Sequence, residues 1–175
     1  MTDQSRIDDL RRRVERDPAS IAFAQLAEEY RRAGQLEEAV QTCQAGLAKH
    51  PEYISARVTL GRALLALGRL HDAEIELSRA VDDAPGSVGV AAVRALAETC
   101  RRQGRLQEAL AHYSAASVLS PNDPDIDRMV RDLGAAVADA GRQAANAERE
   151  RALVTIAALT RWLEAIDATR AQRRA

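Results

Sequence analysis

Aromatic residues make up only 3% of this 175-residue chain, and proline occurs 5 times. Sheets rely on aromatic and β-branched side chains to fill their pleated faces, so an all-β architecture is excluded. Net charge is missing as well: 25 Lys+Arg stand against 26 Asp+Glu, which leaves −1. That balance removes the bulk electrostatic case for a nucleic-acid or anionic-membrane partner, and neither is expected. No apolar run approaches the ~18 consecutive residues that a membrane helix requires. The opening MTDQSRIDDLRRR is polar and lacks the apolar segment of a secretory signal. Two cysteines, Cys43 and Cys100, have no CxxC spacing. They read as reduced, buried small hydrophobes in a cytoplasmic protein. Lysine is nearly absent too, Lys49 being the only one, so 25 − 1 = 24 of the basic residues are arginine. We read this as compositional bias and not as chemistry.

What is present is alanine in quantity and a 46% hydrophobic fraction, which excludes disorder throughout and points to helices packed on small side chains. Self-similarity dominates the chain. AGQLEEAVQTCQAGLAKHP (Ala33 to Pro51), LGRLHDAEIELSRAVDDAP (Leu67 to Pro85) and QGRLQEALAHYSAASVLSP (Gln103 to Pro121) align without gaps. Gly34, Gly68 and Gly104 are spaced by 34 and 36 residues, and Pro51, Pro85 and Pro121 repeat both intervals. The two extra residues fall at Gly86–Gly89, where the spacing predicts a loop insertion.

Each unit reads as two helices. Phe23, Leu26, Ala27 and Tyr30 recur at helical spacing before the first glycine, as do Leu60, Gly61 and Leu64, then Val93, Leu96, Ala97 and Cys100. Stripes such as Leu36, Ala39, Val40, Cys43 and Leu47 follow each glycine. The glycines suit a positive-φ turn ending the first helix, and the prolines stop the second.

These residues resemble the tetratricopeptide repeat family, whose unit is a 34-residue helix–turn–helix. The family pattern appears as Phe23-x2-Leu26-Ala27-x2-Tyr30, Ala39-x3-Cys43 and Pro51. The second unit has Leu60-Gly61-x2-Leu64, Ala73-x3-Leu77 and Pro85, with Arg57 in place of the usual aromatic. The third has Leu96-Ala97-x2-Cys100, Ala109-x3-Tyr113 and Pro121. The resemblance implies an all-α fold, an α-solenoid of antiparallel helix pairs with N- and C-terminal helical caps. The expected organisation is a capping helix over 1–18 and three repeats over 20–123, divided at about 20–53, 54–87 and 90–123. A degenerate fourth-repeat or capping helix over 124–141 and a C-terminal amphipathic helix with a basic tail over 142–175 complete it. We expect a break or weak helix near Gly141, then a final helix from about 148 to 170.

Catalytic constellations are not found. His50, His71 and His112 are scattered, and no pair has metal-ligand spacing. Glu28-Glu29, Glu37-Glu38 and Asp82-Asp83 read as solvated faces and not as acid/base dyads. Neither GxxxxGK[ST] nor GxGxxG occurs. The Arg11-Arg12-Arg13, Arg101-Arg102 and Arg173-Arg174 clusters lack the aromatics that stack on bases. The expectation is a protein that is not an enzyme and takes no metal or cofactor.

The family's function is protein binding, and in such arrays the concave surface belongs to first-helix positions that avoid the core. Here those positions give Ile21, Ala24, Glu28 and Arg31, then Ser55, Val58, Arg62 and Leu65, then Ala91, Arg94, Glu98 and Arg101. The Lys/Asn/Arg clamp of some members is not carried over, since its Lys and Asn positions hold Ala24 and Glu28. An apolar centre (Ala24, Val58, Leu65) rimmed by Arg and Glu suits an amphipathic helix or extended segment. Val58 and Leu65 are expected to face away from the repeat core. A second docking element is expected on the C-terminal helix: Leu153, Ile156, Leu159, Leu163 and Ile166 share a face, with Trp162 beside them and at least partly shielded. The expected role is a bacterial scaffold or adaptor for another protein; the last helix is expected to pack in cis on the Ile126–Val137 helix, on the same helix of a second chain as a homodimer, or on another protein. Two alternatives are a chaperone for a secreted client, like those of type III secretion, and a regulatory subunit of a partner enzyme or GTPase module.

Overall fold

The computed structural model describes residues 3–17, 20–82 and 86–174. Among these the chain is all-α, with no strand: α1 (Asp3–Arg16), α2 (Ala22–Arg32), α3 (Leu36–Leu47), α4 (Ile54–Ala66), α5 (Leu70–Val81), α6 (Gly86–Arg102), α7 (Leu106–Leu119) and α8 (Pro124–Arg174). Pro18, Asp83 and Pro85 lie outside the described residues, as do the side chains of Arg170, Arg173 and Arg174.

The chain divides into two compact units, Met1–Leu133 and Gly134–Ala175. In the first, α2/α3, α4/α5 and α6/α7 are the helix pairs, and α1 packs on α2. The first helices also stack on one another, α2 on α4 and α4 on α6, which makes the unit an α-solenoid.

The same local device closes the first helix of each pair. Gly34, Gly68 and Gly104 adopt φ of 75°, 78° and 79°, a region costly for any residue with a Cβ. The following amide reaches back five residues: Gln35 N–H donates to the Tyr30 carbonyl, Arg69 to Leu64 and Arg105 to Cys100, each at 2.9 Å. This satisfies a carbonyl that the helix end leaves open. Because the turn is repeated, each second helix is returned against its first with the same geometry.

Small residues then set how closely the helices approach. Ala27, Ala39, Ala73, Ala97 and Ala109 are fully buried. A Cβ on Gly61 would sit 2.5 Å from the Leu77 Cγ, so α4 and α5 meet where only glycine fits. One core cluster joins Ile7 and Leu10 of α1 to Leu26, Tyr30, Cys43, Leu64, Leu77 and Leu96. A second gathers Cys100, Ala109, Tyr113 and Ala116 around Ile126 and Leu133, so the start of α8 closes the array. Asp123 caps that helix, its carboxylate accepting from the amides of Asp125 and Ile126 at 3.0 and 3.2 Å, with Pro124 at the first helical position.

Two expectations fail here. The insertion at Gly86–Gly89 is not a loop: these residues are helical and lengthen α6 to 17 residues. Nor does the chain break at Gly141, because α8 is a single helix of 51 residues. A mid-helix glycine costs only about 1 kcal/mol, and the flanking Ala, Arg, Gln and Glu residues are strong helix formers that offset it.

Candidate protein-binding groove and C-terminal helix face

Side-by-side packing of α2, α4 and α6 leaves a cleft of about 550 Å³ along their outer faces. Arg31 comes from α2, Arg62, Leu65 and Ala66 from α4, and Val90, Ala91, Arg94, Ala95, Glu98 and Arg102 from α6; Tyr113 of α7 closes one end. A smaller cleft of about 280 Å³ between α2 and α4 holds Ala24, Glu28, Tyr53 and Thr59.

Arginine dominates the larger cleft, and most of its arginines are already engaged. Arg31 makes two hydrogen bonds to Glu28, at 2.9 and 2.8 Å. Arg94 pairs with Asp123 at 3.3 Å, and Arg102 with Glu98 at 3.0 Å. Arg102 also donates to the Leu65 carbonyl at 3.1 Å, which ties α6 to α4. Arg101 pairs with Glu98 at 2.7 Å but does not line the cleft.

Arg62 differs from these. Among the described residues its only ion pair is a long one, 3.9 Å to Glu28, a carboxylate already held by Arg31 and Arg32. Burial, followed by repulsion from Arg31, lowers its pKa from the usual guanidinium value, and Arg32 and Arg94 act in the same direction. Glu28 is pulled the other way, down to about 2, by its hydrogen bond from Arg31 foremost, with further contributions from Arg62 and Arg32. The hydrogen bond from Arg101 lowers Glu98 similarly. Burial raises Tyr113, whose hydroxyl lies 3.4 Å from Glu98.

The apolar centre expected of this face is largely absent. Val58 is 4% exposed and packs against Ala80 and Ala92, between the second and third helix pairs. Leu65 is 8% exposed; it forms part of the cleft floor and also belongs to the core cluster with Leu96. Stacking of α6 on α4 buries both residues, a contact between repeats that positions within one unit do not reveal. Ile21 is exposed just before α2 and is not part of either cleft. Arg102 and Tyr113 are additions: the arginine lies one residue beyond a numbered groove position, and the tyrosine counts as core by the repeat pattern.

The thiols match expectation, for Cys43 and Cys100 are both free and buried. Burial, with the nearby Glu28 carboxylate a lesser cause, pushes Cys43 up to about 12, so it has no thiolate character at neutral pH. No cluster of three or more His, Cys, Asp or Glu able to hold a metal occurs among the described residues. No helix among them is long and apolar enough to cross a membrane.

Within the second unit, Leu153, Ile156, Leu159, Trp162 and Leu163 are exposed, and Ile166 is half-buried. Trp162 is 62% exposed.

Models of the tetratricopeptide repeat match residues 30–97 and 90–130. Compared with curated proteins, the chain matches none. Among solved structures it is similar to TTC0263, a thermophilic TPR protein of Thermus thermophilus, at 26% identity over 73% of this chain and 70% of that one, with a TM-score of 0.61. MamA from Desulfovibrio magneticus RS-1 shares the fold at 17% identity, covering 81% and 80% of the two chains with a TM-score of 0.70. The first TPR of Spaghetti (RPAP3), solved bound to the HSP90 peptide SRMEEVD, also shares it, at 19% identity over 69% and 94% with a TM-score of 0.64.

Proposed function

The chain belongs to the tetratricopeptide repeat family, and from that premise we propose that it is a non-enzymatic scaffold or adaptor for another protein. A peptide or helix of that partner lies in the groove along α2, α4 and α6, and it carries carboxylates. The C-terminal helix is a second contact surface, used by another copy of the chain. Arg62 is the observation that carries the groove assignment. It is 38% exposed, lines the cleft and has only a 3.9 Å share of an acid that two other arginines hold. A carboxylate entering beside it would relieve the repulsion from Arg31 and Arg94 and gain a charge-assisted hydrogen bond. Arg31, Arg94 and Arg102 already have partners and form the rim that excludes water around that contact. The similar RPAP3 domain was solved with a peptide that contains two adjacent glutamates, which agrees with a carboxylate-bearing occupant.

The test is affinity capture with the full chain and with Arg62→Gln, followed by mass spectrometry and direct titration of whatever only the wild type retains. We expect the partner to bind Arg62→Gln at least about tenfold more weakly while thermal melting is unchanged, as for an interface arginine hot spot. A partner that binds both proteins equally would show that the groove is not where it docks.

A further inference from the structure

The exposed stripe on α8 carries its own charge register, and that register specifies an occupant. We propose that residues 149–167 of α8 pair with the same segment of a second copy in antiparallel orientation, with Arg149 of each chain against Asp167 of the other. This rests on the assignment of the C-terminal helix as a contact surface and adds to it the direction and the pairing.

A helix advances about 100° per residue. Leu153, Ile156, Leu159, Leu163 and Ile166 therefore share one face, with Trp162 on its border. Arg149 and Asp167 are 167 − 149 = 18 residues apart, which is five whole turns. They share one angular position within the arc of the stripe, between those of Leu153 and Ile156, the arginine one turn before the stripe and the aspartate just after it. Neither forms an ion pair with another described residue, as holds for the other described charges after Arg142, and of these they are the two opposite charges placed a whole number of turns apart at the two ends of the stripe.

Within one chain the two charges stand about 27 Å apart along the helix axis and cannot meet. A parallel copy places residues of equal height together and leaves that separation intact. Only an antiparallel copy brings the same face together with the ends reversed, so Arg149 meets Asp167 of the second copy, twice, by the two-fold symmetry. The centre of that pairing is Ala158, within one turn of the middle of the Leu153–Ile166 stripe. On the border of the stripe the same alignment sets Trp162 beside Thr155 of the second copy, a large ring over a short side chain. Two helices paired over this length bury on the order of 1,000 Å², the lower end for a specific interface, so the dimer is a reversible, concentration-dependent one.

Sedimentation of the full chain over a range of concentrations reads the first consequence: a monomer–dimer equilibrium. Arg149→Asp or Asp167→Arg alone should weaken it about tenfold by setting like charges together, and the double swap should restore it. Cross-linking reads the direction. Arg149→Cys mixed with Asp167→Cys should form a disulfide-linked heterodimer under mild oxidation, while neither alone links to itself; the native Cys43 and Cys100 are buried and stay out of the reaction. Self-linking of Arg149→Cys, or indifference of the dimer to the single swaps, overturns the antiparallel register and leaves the contact surface standing. A chain that stays monomeric at hundreds of micromolar overturns both.

Discussion

The repeats and the C-terminal helix are made of the same alanine-rich, arginine-rich material but satisfy it differently. In the first unit every helix has a neighbour that covers its apolar stripe, and charges bridge between helices: Arg57 to Glu76 at 2.7 Å, Arg105 to Glu74 at 2.5 Å, Arg94 to Asp123 at 3.3 Å. In the second unit six large apolar side chains of one helix are exposed, and no ion pair is formed among described residues beyond Arg142. Burial converts a side chain into stability only when something covers it. The difference teaches that the repeats are stable by intramolecular packing, while the apolar face of the last helix is left exposed.

Matched substitutions break the comparison most sharply. Leu77→Ala removes a fully buried side chain that fills the space beside Gly61, and should cost about 2–5 kcal/mol in urea unfolding. The same change at Leu159, which is exposed, should alter unfolding of the monomer by no more than about 0.5 kcal/mol and be felt in self-association instead. Equal costs at the two sites would mean that α8 is covered within one chain.

A smaller effect concerns acid. Glu28 lies at about 2 against an ordinary 4.5, a depressed value, so its folded-state interactions stabilise the protein fully above pH 4.5. That contribution, ~2 kcal/mol after solvent screening, is lost as pH falls from 4.5 towards 2. Unfolding free energies measured along this range for wild type and Glu28→Gln should converge as the pH drops; curves that stay parallel would mean that the Arg31 pair contributes nothing.

The smallest effects oppose one another in sign. Gly68→Ala forces a Cβ into φ 78° and should destabilise by about 1–2 kcal/mol. Gly141→Ala lies within a helix with nothing within 4 Å of its Cβ position, and should raise helix stability by about 0.5–1 kcal/mol. Calorimetry and far-ultraviolet circular dichroism on both variants would check the contrast, and a matching sign would contradict the turn assignment.

Much of the fold is legible without coordinates because its cues are local and threefold repeated. The glycine that ends a helix, the small residue at a crossing and the apolar stripe each act within a few residues, and three copies in register reinforce one another. The groove is legible only in part. Repeat positions locate Glu28, Arg31, Arg62, Arg94 and Glu98, since a first-helix face follows from 3.6-residue periodicity. They misplace Val58 and Leu65 as an open apolar centre, because covering those residues takes a neighbouring repeat. Gly86–Gly89 and Gly141 mislead for a related reason: glycine reads as an interruption, yet flanking helix formers outweigh its modest cost.

The amino-acid sequence by itself determined the repeat length, the three Gly turns, the pairing of helices and the apolar stripe of residues 153–166. Those depend on backbone conformation and side-chain period, which each segment carries within itself. Tertiary structure decided that Arg94 finds its acid on another element and that Arg62 is left with a long contact. Arg31, Arg62, Arg94 and Arg102 look alike as letters, yet three are held by acids 3, 4 and 29 residues away and Arg62 keeps only a long contact. The Arg31 and Arg102 pairs lie on single helices and follow from their 3.6-residue period, whereas the Arg94–Asp123 and Arg62–Glu28 distances exist only once the elements are packed.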